Sequence, residues 1–207
     1  MSILSLCLPR LSAGLALVLS LSACDTISDL EMPRFSRAQA AFEPVMRWDH
    51  RPEAGEWTQA AFAAMDTHAA ALPASMPADI DAWCPDYRTA DADQREAFWA
   101  GLLSALARYE STWNPEVVGG GGRYFGLVQI SPATARYYGC AALDGSALTD
   151  GAANISCALR IWATTVSRDG VVSEGRGGVA ADWGPMTRAD MREEMRSWVS
   201  SQPYCAG

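Results

Sequence analysis

The sequence predicts a mostly α domain with short or no β-strands, and three observations carry that prediction. Trp99, Leu103, Leu106 and Glu110 fall at i, i+4, i+7 and i+11, which is one face of a helix. Ile155, Leu159, Trp162 and Val166 repeat that spacing. No run alternates apolar and polar residues for more than a few positions, so any strand must be short.

Taken in order, the chain begins with Arg10, an apolar run over 11–21 and the small-residue exit Leu21-Ser-Ala-Cys24. A charged start, an apolar stretch of that length and small residues before a Cys describe an export signal over residues 1–23 rather than a membrane span. Leu-Ser-Ala-Cys resembles the bacterial lipobox, which implies cleavage before Cys24, lipidation of that Cys and an anchor in a membrane. The alternative is plain secretion with Cys24 a bystander. Asp25 after the Cys resembles a signal for retention at the inner membrane.

Residues 24–55 carry Pro33, Pro44 and Pro52 without a sustained period and read as a lipidated N-terminus and tether, with a short helix at 37–42. A single folded domain is expected over 56–207. Trp57, Phe62, Met65, Ala69 and Leu72 keep helical spacing until Leu72-Pro73 stops them. Residues 78–92 form an Asp-rich loop; Asp79, Asp81 and Asp86 fit no calcium-loop spacing and read as solvated. Asp93-Gln-Arg-Glu96 has the capping-box pattern that opens the central helix, roughly residues 94–112, and Asn114-Pro115 closes it.

Gly119-Gly-Gly-Gly122 is expected as a mobile flap or a surface turn; it is no phosphate loop, because neither GxGxxG nor GKS/T follows a strand. Ser131-Pro132 pairs a good cap with a good first helical residue, starting a short helix that Gly139 ends. A helix is expected at about 151–168, a glycine-rich loop over 169–186, and a last helix capped by Thr187 with Met191, Met195 and Trp198 inward.

Composition bounds the function. The 207 residues suffice for one domain with a core, and 49% hydrophobic against 19% charged residues is a globular balance. Net charge is −8, all 16 basic residues are Arg, and there is no basic run, which argues against nucleic acid as a partner. Of six cysteines, Cys7 leaves with the signal and Cys24 carries lipid. The other four suit two disulfides in an exported chain, with three connectivities open; Cys140 with Cys157 and Cys84 with Cys205 is the pairing chosen. Zinc is the competing use, but there is no CxxC pair and only 2 His, so no metal and no cofactor are expected. His50 and His68 lie outside every motif and read as surface or packing residues.

The residue that closes the Trp99 stripe is an acid. A carboxyl on a core-facing stripe is partly desolvated, which raises its pKa and suits a general acid near neutral pH. The plainer reading makes Glu110 a last-turn residue reaching water or a nearby Arg.

Glu110-Ser-Thr-Trp-Asn-Pro115, Gly126-Leu-Val-Gln-Ile-Ser-Pro-Ala-Thr-Ala135 and Asn154-Ile155 with its helix, in that order, resemble the catalytic domain of the soluble lytic transglycosylase (SLT) type. The resemblance covers about 94–168 well and implies a lysozyme-like fold of the goose-type kind, a peptidoglycan substrate and periplasmic location, lipid-anchored to the inner or outer membrane of a Gram-negative bacterium. It implies that Glu110 protonates the β-1,4 bond between N-acetylmuramic acid and N-acetylglucosamine. Glu110 would then take the proton of the muramic C6 hydroxyl that attacks C1, leaving a 1,6-anhydro end, with the substrate's acetamido group as nucleophile. No second carboxylate is required, and none is evident near Glu110; Glu116 lies beyond the Pro and reads as solvated.

By the same resemblance Leu127 and Val128 wall the cleft, with Val128 where the family has Met. Gln129 bonds sugar or Glu110, and Asn154 shapes the far wall. Gly126 belongs to the same string, whose bland reading is a buried strand or turn. Ser111 either contributes to the site or satisfies a helix carbonyl; Tyr124 and Phe125 either stack on a sugar or pack. One departure stands out: many members carry Ala-Tyr-Asn-Ala-Gly late in the domain, whereas here Val179-Ala-Ala-Asp-Trp-Gly-Pro185 has no Tyr. Trp183 is expected in that place, or Tyr137 as a substitute. The rival readings are a lysozyme-type hydrolase on the same fold and an inactive peptidoglycan-binding lipoprotein. A cell-envelope-spanning machine is a further candidate partner.

Overall fold

The computed structural model describes residues 43–206. The export signal, Cys7, Cys24 and the helix expected at 37–42 lie outside the described residues. Among the described residues no helix is long and apolar enough to cross a membrane.

Helix α1 (Ala54–Met65) buries Trp57, Ala61, Ala64 and Met65. The expected continuation to Leu72 breaks after Met65, and one turn resumes as α2 (Ala71–Ala74). Thr67 accounts for the break: its hydroxyl donates to the Ala63 carbonyl at 2.7 Å, while the Ala69 N–H closes back on Ala64 at 2.8 Å. A short helix α3 (Ile80–Trp83) interrupts the expected loop. Asp79 is not simply solvated. It accepts from the backbone N–H of Val172 at 2.6 Å and of Ser173 at 2.9 Å, bracing the loop against a segment some ninety residues away.

The central helix α4 (Ala92–Ser111) starts two residues earlier than expected. Asp91 is the cap: its carboxylate accepts from the Gln94 N–H at 2.9 Å, and the Gln94 side chain accepts from the Asp91 N–H at 3.0 Å. Asp91-x-x-Gln94 and Asp93-x-x-Glu96 satisfy the same pattern, and only the extended backbone at Asp91 selects between them. Thr112 ends the helix in the left-handed region.

A two-residue hairpin follows, β1 (Val118–Gly119) antiparallel to β2 (Tyr124–Phe125), with Val118 opposite Phe125. Then come α5 (Pro132–Tyr137), capped by Ser131 as expected, and α6 (Gly145–Leu148). Helix α7 (Gly151–Asp169) is capped by Asp150 and stopped by left-handed Gly170. The expected loop over 169–186 contains a 3-10 turn at Gly178–Ala181 and the start of α8 (Gly184–Thr187). Thr187 is therefore not the cap of the last helix: its hydroxyl returns to the Gly184 carbonyl at 2.7 Å, and α9 (Ala189–Ser200) begins after Arg188. Met195 and Val199 are the buried residues of α9, with Met191 and Trp198 half-buried.

The two predicted stripes meet in the core. Trp99 of α4 packs edge-on to Trp162 of α7 with ring centroids 6.3 Å apart, and both rings are buried. Each large side chain buried this way stabilises the fold by roughly 1.5–3 kcal/mol. Helix α1 lies against α7, and α4 against α9, α2 and α1.

The packed unit also begins upstream of residue 56. Met46 and Trp48 are core residues rather than tether, with the Trp48 indole N–H donating to Thr58 at 3.0 Å. Apolar burial drew in a segment that had no periodicity to announce it. Arg47 adds a charged clasp: it pairs with Glu194 of α9, which also accepts from Arg108 at 2.9 Å and from Tyr109 at 2.8 Å. Hydrogen bonds from Arg47 and then Tyr109 hold the Glu194 carboxyl below its ordinary pKa. The expected disulfides are both formed, Cys84–Cys205 and Cys140–Cys157. They close loops with sequence separations of 121 and 17, worth about 5 and about 3 kcal/mol in the chain-entropy account.

Candidate active site

Glu110 sits one residue before the end of α4, where the helix leaves the core. It is half-buried, and its carboxyl lines a cavity of about 380 Å³ with Tyr124, Gln129, Asp182, Trp183, Gly184 and Pro185. Burial alone pushes its pKa up to about 7. Glu110 is a last-turn residue, as the plainer reading has it, but it reaches no Arg: among the described residues its carboxyl has no hydrogen bond or ion pair and opens into the cavity. A proton held there is available near neutral pH to an acceptor entering the cavity.

The backbone around the cavity is strained in a localised way. Among the described residues the non-glycine residues with positive φ are Thr112 at 53°, Trp113 at 56° and Gln129 at 51°, all beside Glu110 or on the cavity wall. Such conformations persist where surrounding contacts over-determine them. Here the Trp113 indole N–H donates to the Ser104 carbonyl at 2.8 Å, and the Gln129 amide donates to the carbonyls of Val117 at 3.0 Å and Gly126 at 2.9 Å.

Gly126 shows why the Gly-Leu-Val-Gln string opens on glycine. Its φ is +83°, and a Cβ would fall 2.1 Å from the Leu148 carbonyl oxygen and 2.3 Å from the Asn154 amide nitrogen. The four-glycine run is a tight surface turn, with Gly120, Gly121 and Gly122 all left-handed. The Tyr124 ring lies against Gly120, where a Cβ would meet it at 2.5 Å.

The expected site residues divide into two groups. Glu110, Tyr124, Gln129 and Trp183 line one cavity. Gln129 spends its N–H groups on backbone carbonyls rather than on Glu110, and its oxygen, which has no hydrogen-bond donor among the described residues, lies against Gly119. Trp183 stands in the late segment where a Tyr was missed. Its indole N–H donates to the Val128 carbonyl at 2.8 Å, and its ring packs edge-on to Trp162 at 5.9 Å, so it bolts the cavity floor to α7.

Gly126, Leu127, Val128, Asn154 and Ser111 do not line the cavity. Leu127 and Val128 are fully buried: the short bridge from Phe125 to Ile130 turns both side chains into the core. Asn154 is fully buried as well, accepting from the Val128 N–H at 3.0 Å and donating to the carbonyls of Leu148 at 2.9 Å and Phe125 at 3.0 Å. It is an internal clamp on the Gly126–Val128 turn. The Ser111 hydroxyl takes the helix-carbonyl option, donating to Ala107 at 3.3 Å. Phe125 packs over Gly145. Tyr137 is 83% exposed, is absent from the cavity wall, and does not stand in for the missing Tyr. His50 is a surface residue whose ring meets Trp113 edge-on, and His68 is half-buried and meets the Ser156 carbonyl at 3.0 Å; neither lines the cavity.

The sequence reading missed Asp182. It lies on the cavity wall, and its Oδ2 accepts from the Tyr138 hydroxyl at 2.8 Å. Burial and that bond push the tyrosine up to about 12. The only signal available was its position beside Trp183, since Tyr138 is forty-four residues away. Among the described residues no cluster of His, Cys, Asp and Glu could hold a metal ion.

Residues 89–171 match the family model described as the transglycosylase SLT domain. No curated protein matches the chain. Among solved structures the fold is similar to DslA in its wild-type form, with a TM-score of 0.71 and 28% identity over 80% of this chain and 100% of that one. A glutamate-to-glutamine mutant of DslA superposes with a TM-score of 0.73 at the same identity and coverage.

Proposed function

We propose, from the premise that residues 89–171 form a transglycosylase SLT domain, that the protein cleaves the glycan strands of peptidoglycan as a lytic transglycosylase with Glu110 as acid and then base. The observation that carries this reading is the company Glu110 keeps: a carboxyl, unpaired among the described residues, on the wall of one cavity with Tyr124, Gln129 and Trp183, its pKa raised to about 7 by burial. Glu110 gives its proton to the glycosidic oxygen as the bond from muramic C1 to that oxygen breaks. The resulting carboxylate takes the proton of the muramic C6 hydroxyl as that oxygen bonds to C1. The ring closes to a 1,6-anhydro end and Glu110 is again protonated, so no water is consumed. Tyr124 offers an exposed ring face to a sugar, and the Gln129 oxygen accepts from a hydroxyl or amide.

Two disulfides fit an oxidising compartment. We propose accordingly that residues 1–23 direct export, that Cys24 is lipidated, and that a tether shorter than first expected joins it to a catalytic domain including Met46 and Trp48.

Asp182 favours a second reading, a hydrolase on the same fold, because a second carboxylate on the cavity wall can orient a water. One experiment separates the readings. Purified sacculi are digested with the soluble chain from Asp25 and with Glu110→Gln, and released fragments are read by mass spectrometry. Anhydro-muramyl ends from the wild type alone support the transglycosylase. Reducing ends replace it with the hydrolase. Retention on sacculi without release sinks both and leaves a binding lipoprotein.

A further inference from the structure

A second cavity, of about 450 Å³, lies between the β1–β2 hairpin and the start of α5. It shares Tyr124 with the cavity of Glu110, so the two adjoin across one ring. Its charged wall residues are Arg123 and Arg136, and no acid lines it, in a chain whose net charge is −8. Neither guanidinium pairs with a carboxylate among the described residues.

Both side chains are nevertheless held. The Arg123 Nε–H donates to the Gly120 carbonyl at 2.8 Å, and the guanidinium carbon lies 5.8 Å from the Tyr124 ring centroid. One terminal nitrogen of Arg136 donates to the Leu143 carbonyl at 3.0 Å. These bonds occupy Nε of Arg123 and one terminal nitrogen of Arg136, leaving both terminal nitrogens of the first and Nε with a terminal nitrogen of the second. Pre-placed guanidinium forks of this kind match carboxylates in geometry as well as charge. Ser131 and Thr134, also on the wall, are bonded to one another at 2.8 Å.

We infer that this second cavity is a subsite for the carboxylates of the peptide stem, which makes the enzyme prefer stem-bearing over bare glycan. The inference rests on the function proposed above: the stem leaves the same muramic acid whose C1 is cleaved, and so emerges within one sugar of Glu110. Arg123 and Arg136 are then specificity residues outside the chemistry, and the Tyr124 ring separates the sugar track from the peptide track.

The test measures binding calorimetrically on Glu110→Gln, so that ligand is not consumed. The probes are a muramic-acid-containing disaccharide bearing a tetrapeptide stem, the same disaccharide without peptide, and the stem form with its carboxyls amidated. The stem form is expected to bind roughly five- to tenfold tighter than the bare one. That advantage should vanish on amidation and in the added Arg123→Gln/Arg136→Gln variant. Unchanged affinity for the bare disaccharide shows that this variant still folds. An advantage that survives both substitutions, or none in the parent, overturns the subsite while leaving the proposed function standing. Binding of no probe at all overturns both.

Discussion

Helix α4 carries two half-buried glutamates, fourteen residues and about 21 Å apart along its axis, about 40° apart around it. Glu96, near its start, lines a cavity of about 370 Å³ and has its pKa pushed up to about 7, as has Glu110 at the other end. Their surroundings differ. Glu96 is raised by burial and then by the like charges of Asp66 and Asp93, and its cavity is walled by Met65, Ala70, Pro73, Ala74, Ala90, Ala92 and Arg95. Arg95 is committed to the carbonyls of Tyr87 and Arg88. Glu110 is raised by burial alone, beside an exposed Tyr ring, a Gln oxygen and a second carboxylate, with left-handed backbone at three nearby residues. A raised pKa therefore does not identify a catalytic acid. What marks Glu110 is the set of groups that could hold a polymer of sugars against it.

The largest expected effect contrasts the two ends directly. Glu110→Gln should lower the rate of glycan release from sacculi by about 10²–10⁴-fold, the range for loss of a general acid, whereas Glu96→Gln should leave it within about twofold. Comparable losses from both would erase the distinction.

Gly126→Ala probes the clamp that only the Glu110 end possesses. The added Cβ meets the Leu148 carbonyl and Asn154 in a left-handed residue, so a loss of about 2–4 kcal/mol is expected from denaturant unfolding. Alanine tolerated at wild-type stability would mean that the turn is looser than its contacts imply.

The pH dependence of stability should treat the two acids alike. A carboxyl whose folded pKa is raised above the ordinary 4.5 binds more protons folded than unfolded, so its cost to stability grows as pH rises from about 4.5 to about 7 and is complete above that. Glu110→Gln should therefore raise stability at pH 8 by about 1–3 kcal/mol, and Glu96→Gln by less in the same direction because water screens its more exposed carboxyl; both should change little at pH 4. Opposite pH trends for the two variants would refute the shared burial cause. Glu194 works in reverse: its lowered pKa gives stability above the unfolded value that is lost as pH falls through the folded one.

Smallest is Tyr138→Phe, which removes the donor to Asp182 and should cost only a few-fold in kcat, with thermal stability kept. No change in products or rate would remove Asp182 from the chemistry.

The two apolar stripes, the Ser131 cap and the strings around Glu110 and Gly126 were legible in the sequence because helical period, capping and backbone sterics act over a few residues. Within that local range, competing signals of equal form still misled: Asp91 and Asp93 offered the same box, and Thr187 stood where a cap was wanted.

Which of the recognised residues face the cavity was decided by tertiary contacts. Leu127, Val128 and Asn154 belong to the right strings yet point inward, because Asn154 on α7 gathers three backbone groups from segments six to twenty-nine residues away. Asp182 came to the cavity through a tyrosine on a different element, and Trp48 joined the core with no periodicity of its own. Sequence spacing determines which side chains share a face of one helix. Burial and hydrogen-bond closure between distant segments determine which face becomes a wall, and that is a property of the packed chain.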